Sequence, residues 1–357
     1  SGSVCLARTA MIIDIHGHFT TTPPKVWAFR EAQVAALREG RKPPDPPAVS
    51  DDEIRDGIEN NQLRIMRERG IDLTIFSPKA LGMDHHRGDE ATNKVWADYA
   101  NALVHRVCKR YPKDFVGACQ LPQAAGVKPG TLVFDTLERC IGDYGFIAAN
   151  LNPDPTGGHW SDPPLWDKDW WYPLYEQLLR WDIPAMIHVS GSCNPHFHAV
   201  ASHYINGDTT AFVQFMTSSI FEDFPELKFI IPHGGGAVPY HWGRYRGIAQ
   251  DMGLAELEEK VLNNVYFDTC VYHQAGIDLM LKVLPTKNVL FASETVGAVR
   301  GIDRRTRHFY DDTKRYIEAS SEVDEIGRQA IYSDNALGVY KRLGPKLSAM
   351  RSNKTIT

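Results

Sequence analysis

The chain has 357 residues, 43% hydrophobic and 23% charged, which is enough for one large domain with a substantial core and close to what an α/β barrel consumes. Its formal net charge of −5 speaks against a nucleic-acid or membrane-surface partner, since either calls for a basic face, so an anionic ligand has to meet local arginines. No segment reaches transmembrane length, and the six cysteines (Cys5, Cys108, Cys119, Cys140, Cys193, Cys270) lack C-x-x-C spacing, which suits unbridged thiols in a cytoplasmic protein.

Residues 1–10 read as a cloning scar or unstructured leader ahead of Met11, with no apolar stretch of signal-peptide length. The folded part opens on Ile13-Asp14-Ile15-His16-Gly17-His18, a short strand that ends in two imidazoles. Strand side chains alternate, so His16 and His18 share a face, roughly 6.5 Å apart along the strand and able to bind one ion. Gly17 between them is expected to leave the metal uncrowded. By itself H-x-H is weak evidence, because 14 histidines supply about half an occurrence by chance. The second copy, His196-Phe197-His198, sits among polar loop residues, whereas the first closes the apolar run Met11-Ile12-Ile13.

Seven more apolar or β-branched runs follow, each succeeded by a helix-like stretch: residues 73–77, 115–120, 147–152, 185–190, 229–233, 265–269 and 289–293, after the first at 12–16. Near-continuous apolar runs with polar ends are what parallel strands covered on both faces look like. Eight such units predict a single (β/α)8 TIM-type barrel over residues 11–342, with a short tail at 343–357 and the chemistry at the C-terminal ends of the strands. Ser50 with Glu53 forms a capping box that opens a helix over 52–69, and Asp208 is expected to cap another. Pro43-Pro44-Asp45-Pro46-Pro47 reads as an extended surface linker, and the Pro-, Gly- and Trp-rich stretch 153–169 as a polar loop over the barrel mouth. The aromatic segment 166–175 is expected to be exposed and covered by a second subunit, making the protein a homo-oligomer.

The residues that terminate the runs converge on one chemistry. Run one ends in His16 and His18, run five in His188, run six in His233 and run eight in Glu294. Any one of these imidazoles alone is more often a hydrogen-bonded core histidine, and Glu294 alone an ion-pair partner; together at strand ends they point to a metal. Three neutral nitrogens and a carboxylate suit Zn2+ at about 2.0–2.2 Å, with Mn2+ and Fe2+ as open alternatives. An acidic protein that binds an anion needs guanidinium clamps, and Arg244 and Arg300 each follow a Gly-rich loop at the expected mouth. Ser77 and Lys79 after run two, Asn194, His203 and Tyr204 after run five, and His241 after run six are further substrate contacts to test. His85-His86, His159 and Cys270 are assigned by default to loops or core.

The motifs Asp14-Ile15-His16-Gly17-His18, Ile187-His188-Val189-Ser190, Pro232-His233-Gly234-Gly235-Gly236, Ser293-Glu294 and Asn335-Ala336 resemble the decarboxylase and hydratase branch of the amidohydrolase superfamily. The likeness runs from Met11 to about Tyr340. Longer strings, Asn150-Leu151-Asn152-Pro153-Asp154-Pro155, Gly157-Gly158-His159-Trp160, the run from Ala237 to Arg244 and that from Gly297 to Asp303, are similar to its hydratases. Most of the superfamily has aspartate where this chain has Glu294, a departure the hydratases share. The resemblance implies that His16, His18, His188 and Glu294 surround a zinc, with Glu294 as base and His233 as acid. It further implies a tricarboxylic α,β-unsaturated 2-keto acid as the small-molecule partner, in protocatechuate breakdown. The rival expectations are a metal-dependent decarboxylase of an aromatic acid, a lactonase or amidohydrolase with the same metal, and an inactive metabolite-binding barrel.

Overall fold

The computed structural model describes residues 11–196 and 202–352; Phe197 and His198 of the second H-x-H lie outside the described residues, as do residues 1–10. Eight parallel strands run in sequence order: β1 Ile13–Phe19, β2 Leu73–Pro78, β3 Phe115–Gln120, β4 Ala148–Leu151, β5 Ala185–Ile187, β6 Phe229–Ile231, β7 Val265–Asp268 and β8 Val289–Leu290. The sheet closes on itself where the Ile15 amide donates to the Phe291 carbonyl at 3.0 Å, just past β8. Asp14 reinforces that seam by accepting from the Ser293 amide at 3.2 Å and from its hydroxyl. All eight predicted runs coincide with strands, and helices fill the connections, as a (β/α)8 barrel requires.

Alternation sorts the apolar side chains into two cores. Ile13, Ile15, Leu73, Ile75, Val116, Ala118, Met186, Ile230 and Leu290 fill the barrel interior. Phe76, Phe115, Cys119, Ala149, Ile187 and Phe267 face outward and pack against the helix shell. Strict alternation from Ile13 and Ile15 would turn His16 away from the axis. The β1–β2 register shifts between Asp14 and Gly17, and that irregularity returns His16 and His18 to the interior. Gly17 is needed for a different reason from the one expected: a Cβ there would stand 2.4 Å from Thr74 Cγ2 on β2, so the glycine permits strand pairing rather than room at a metal.

The capping box is formed, with the Ser50 hydroxyl accepting from the Glu53 amide at 3.1 Å and the Glu53 carboxylate from the Ser50 amide at 2.8 Å. The helix it opens runs as Asp51–Ile58, a wider π turn Glu59–Leu63, and Arg64–Arg69. Residues 43–46 are exposed and without regular structure, as a linker should be. Three expectations need correction. Residues 343–352 are helical from a fully buried Leu343, not a tail. In 153–169 the first five residues are buried, because the Asp154 carboxylate gathers the Thr156, Gly158 and Trp160 amides at 3.2, 2.6 and 3.3 Å. The 166–175 segment is no exposed aromatic face: Trp171, Leu174 and Tyr175 are wholly buried, and of its aromatics only Trp166 is largely open, so the argument for a covering subunit loses its basis. Among the described residues, Cys108, Cys119, Cys140, Cys193 and Cys270 are free thiols, and no helix is long and apolar enough to cross a membrane.

Candidate metal centre and its cavity

The strand ends meet on the barrel axis. His16 and His18 come from β1, His188 directly follows β5, His233 lies two residues past β6, Asp268 ends β7, and Glu294 lies beyond β8; none is more than 8% exposed. His233 and Glu294 both hold left-handed backbone, at φ 53° and 54°. For a residue with a Cβ this costs about 1–3 kcal/mol, a strain that persists only where surrounding structure enforces it. Here it turns the chain sharply out of the ladder at the mouth.

The Nε2 atoms of His16, His18 and His188 converge, at 2.9 Å (His16 to His18), 3.3 Å (His16 to His188) and 3.2 Å (His18 to His188). Their other nitrogens fix the tautomers. His16 Nδ1 lies 2.7 Å from the Asp268 carboxylate, His18 Nδ1 3.0 Å from the Pro78 carbonyl and 2.8 Å from the Ser77 hydroxyl, and His188 Nδ1 2.7 Å from the Val189 carbonyl. Carboxylates and carbonyls only accept, so each Nδ1 carries the hydrogen and each Nε2 presents a lone pair. Burial, followed by the charge of neighbouring His16, holds His18 well below the ordinary histidine range; burial, His18 and His16 do the same to His188. Three buried lone pairs facing one another without a proton repel, and a cation at their centre relieves that repulsion. The residues present therefore fit a divalent metal. His16, His18 and Glu294 offer ligand atoms within 4.8 Å of one another, as do His16, His188 and His233. A third grouping, His16 with Asp268 and Cys270, is the poorer site: Asp268 is engaged with Nδ1, and burial pushes the Cys270 thiol far up, keeping it protonated.

His233 is held differently. Its Nδ1 meets the Asp208 carboxylate at 2.8 Å, while Nε2 has no hydrogen-bond partner and sits 3.8 Å from Glu294 Oε2. Burial opposes its charge, yet Asp208, Glu294 and Asp268 outweigh burial and raise it to about 10. Asp208 itself rises to about 6, by burial working against the His233 charge. Asp208 is thus no helix cap: it is fully buried inside the helix Ser202–Met216, and its tertiary partner took precedence over the local turn. Tyr272 donates to Glu294 Oε2 at 2.8 Å, and burial with the Glu294 charge keeps that phenol protonated.

A cavity of about 440 Å3 opens above this cluster, walled by His18, Glu294, Lys79, Leu81, Tyr204 and Arg300 among others. Of the expected substrate contacts, Lys79, Tyr204 and Arg300 stand on this wall. Ser77 does not: its hydroxyl is buried against His18, Asn150 and the Gly17 carbonyl, so it supports a ligand instead of meeting substrate. Arg244 and His241 are exposed on and beside the helix Trp242–Asp251 and do not line the cavity. Asn194 is exposed and spends its side chain on a turn with the His196 amide, and His203 is buried beside Gly158. His85 is a core histidine, bonded to the Leu121 carbonyl at 2.9 Å and Asn152 at 3.1 Å, and His159 contacts Cys193 at 3.1 Å. The sequence reading missed Asp208, Asp268 and Tyr272; of these, Asp268 was signalled by the same polar strand end that marked the histidines.

Residues 13–342 match the family described as Amidohydrolase. The chain is similar to the 2-keto-4-carboxy-3-hexenedioate hydratase of Sphingobium sp. (strain NBRC 103272 / SYK-6), 52% identical over 339 residues that cover 95% of this chain and 98% of that protein. It is equally similar to the 4-oxalomesaconate hydratase of Rhodopseudomonas palustris, whose crystal structure aligns with a TM-score of 0.89 at 52% identity, over 96% of this chain and 100% of that one. A 5-carboxyvanillate decarboxylase from Novosphingobium aromaticivorans, solved with bound manganese, shares the fold with a TM-score of 0.68 at 18% identity, over 93% of this chain and 97% of its own.

Proposed function

The chain belongs to the amidohydrolase family, and within it we propose that the protein is a metal-dependent hydro-lyase that adds water to 4-oxalomesaconate, or its isomer 2-keto-4-carboxy-3-hexenedioate, giving 4-carboxy-4-hydroxy-2-oxoadipate. The observation that carries the reading is the adjacency of two groups. The convergent lone pairs of His16, His18 and His188, with Glu294, lie under a cavity whose wall bears the cations Lys79 and Arg300. The likeness to two hydratases over nearly the whole chain supports the choice of reaction.

His16, His18, His188 and Glu294 would hold the ion; we assign zinc on the donor set of three neutral imidazoles and a carboxylate, with manganese as the alternative. When bound, such an ion supplies Lewis acidity and brings the pKa of a coordinated water from 15.7 toward about 7. In the substrate, the 2-keto group makes the distal alkene carbon electrophilic, and the water oxygen attacks there. Glu294 takes the proton of that water, its orientation fixed by Tyr272. Charge moves toward the keto oxygen, and the carbon between must then be protonated. His233 delivers that proton from Nε2, the nitrogen left open when Asp208 holds Nδ1. Lys79 and Arg300 bind substrate carboxylates, and Leu81 and Ala298 give the wall an apolar surface that limits water.

Ultraviolet monitoring of the conjugated keto acid tests the reading. Metal-loaded protein is expected to remove the absorbance without releasing CO2, chelation to stop the loss, and added zinc to restore it. CO2 release would make the protein a decarboxylase; a stable absorbance at full metal loading would reject hydration of this substrate.

A further inference from the structure

Lys79 and Arg300 reach the cavity wall from opposite ends of the sequence, and among the described residues neither pairs with a carboxylate. Arg300 is steadied by its own loop, through Nε to the Gly297 carbonyl at 2.9 Å. Lys79 has no such tether. Its backbone is held by the turn in which its carbonyl accepts the Gly82 amide at 2.9 Å, but four side-chain bonds remain to be ordered. The Lys79 Nζ lies 4.5 Å from the centroid of the Trp27 ring. Lys79 lines both the cavity and, with Trp27, Phe19, Val26, Trp96 and Leu103, a small apolar cleft beside it, so its side chain lies at the border of the two. Trp27 is itself braced, its ring meeting that of Trp96 edge-on at 6.3 Å and 78°. It belongs to the helix Pro24–Arg38 and is not on the cavity wall.

The geometry points to Trp27 as the residue that positions the Lys79 ammonium, so that Lys79 and Arg300 form a subsite for two carboxylates of one ligand. An aromatic face attracts an ammonium, while burial and the neighbouring Arg300 charge work against it, a repulsion that anions coming between the two cations relieve. Trp27 never touches the ligand. Its effect passes through Lys79, and this inference rests on the reading of the cavity as a polycarboxylate site.

The test pairs steady-state hydration kinetics with calorimetric binding of propane-1,2,3-tricarboxylate, an unreactive probe, to the metal-loaded full chain. Trp27→Leu is expected to raise both KM and the probe Kd about tenfold while kcat stays within about twofold; Trp27→Phe, which keeps a ring, should stay within about threefold of native. In a Lys79→Met background Trp27→Leu should add nothing further. Unchanged KM and Kd in Trp27→Leu overturn the inference, as does an effect of the same size without Lys79, which would place Trp27 in the fold alone. Should Trp27→Leu fail to fold, the smaller effect of Trp27→Phe must still vanish in Lys79→Met. Loss of probe binding by the same pattern in a protein that turns over no keto acid would retain the inference and reject the hydratase reading.

Discussion

The two halves of the barrel mouth use the same side chain to opposite ends. On one side His18, His188 and His85 lean on a hydroxyl, backbone carbonyls or a neutral amide, and burial holds them low, His18 and His188 well below the usual range and His85 down to about 3, while His16 stands between the halves with its Nδ1 on the Asp268 carboxylate. On the β6 to β8 side carboxylates gather, Asp208, Asp268 and Glu294, and the histidine there, His233, is driven up to about 10. Burial is nearly equal on both sides, so burial does not decide the outcome. What decides it is whether the second ring nitrogen and the surrounding field supply negative charge. One half offers lone pairs; the other stores a proton.

The sharpest way to break this contrast is on the neutral side. His188→Ala should lose bound metal, read by elemental analysis, and cut turnover at least about 10³-fold; retained metal at full stoichiometry would remove His188 from the site. On the charged side, His233→Asn should keep its metal and still lose about 10²–10⁴-fold in turnover, as expected for removal of a general acid. If turnover is unchanged, the proton comes from elsewhere. Asp268 links the halves through His16, and Asp268→Asn should weaken metal affinity about 10- to 100-fold, with activity recovered at high metal concentration. Activity insensitive to metal concentration would show that His16 needs no support.

The smallest effect lies in stability. His85 titrates at about 3 in the folded chain against about 6.5 when unfolded. Between those values the unfolded chain binds the extra proton, so the stability that neutral His85 provides is complete above pH 6.5 and is lost as pH falls toward 3. Thermal melts of a His85→Gln variant should therefore decline less steeply over that window than the native chain. Parallel curves would mean that other buried groups, His18 and His188 first, account for the whole acid limb.

Much of this was legible in the sequence because the barrel writes its period plainly: the runs near Leu73 and Phe115 are buried on both faces, as strands covered by helices must be. Asp268 ends its strand as visibly as His188 follows its own, and the same rule applied evenly would have found it. Asp208 was not legible, since nothing local distinguishes an aspartate that caps a helix from one inside it whose partner is 25 residues away. The 166–175 segment was readable and misjudged: Trp171, Leu174, Tyr175 and Leu178 fall at i, i+3, i+4 and i+7, the mark of a buried helix face, outweighed in the reading by the aromatic count. Arg244 shows the limit of proximity in sequence. It follows β6 in sequence, but the turn through Gly234 to Gly236 lies between, and its place on the helix Trp242–Asp251 carries it to the outside.

The seam between β1 and β8 sets the order in which this protein can mature. Asp14 and Ser293, which staple it, are 279 residues apart, and the donors on either side belong to the first strand and to the residue after Ser293. On the proposed metal site, His16 and His18 leave the ribosome long before Glu294 is made, so an ion held by all three would wait for nearly the whole polypeptide. Loading of such an ion would in this way be coupled to completion of the chain, and a translation product halted before Glu294 would expose the histidines of β1 without the rest of the proposed nest.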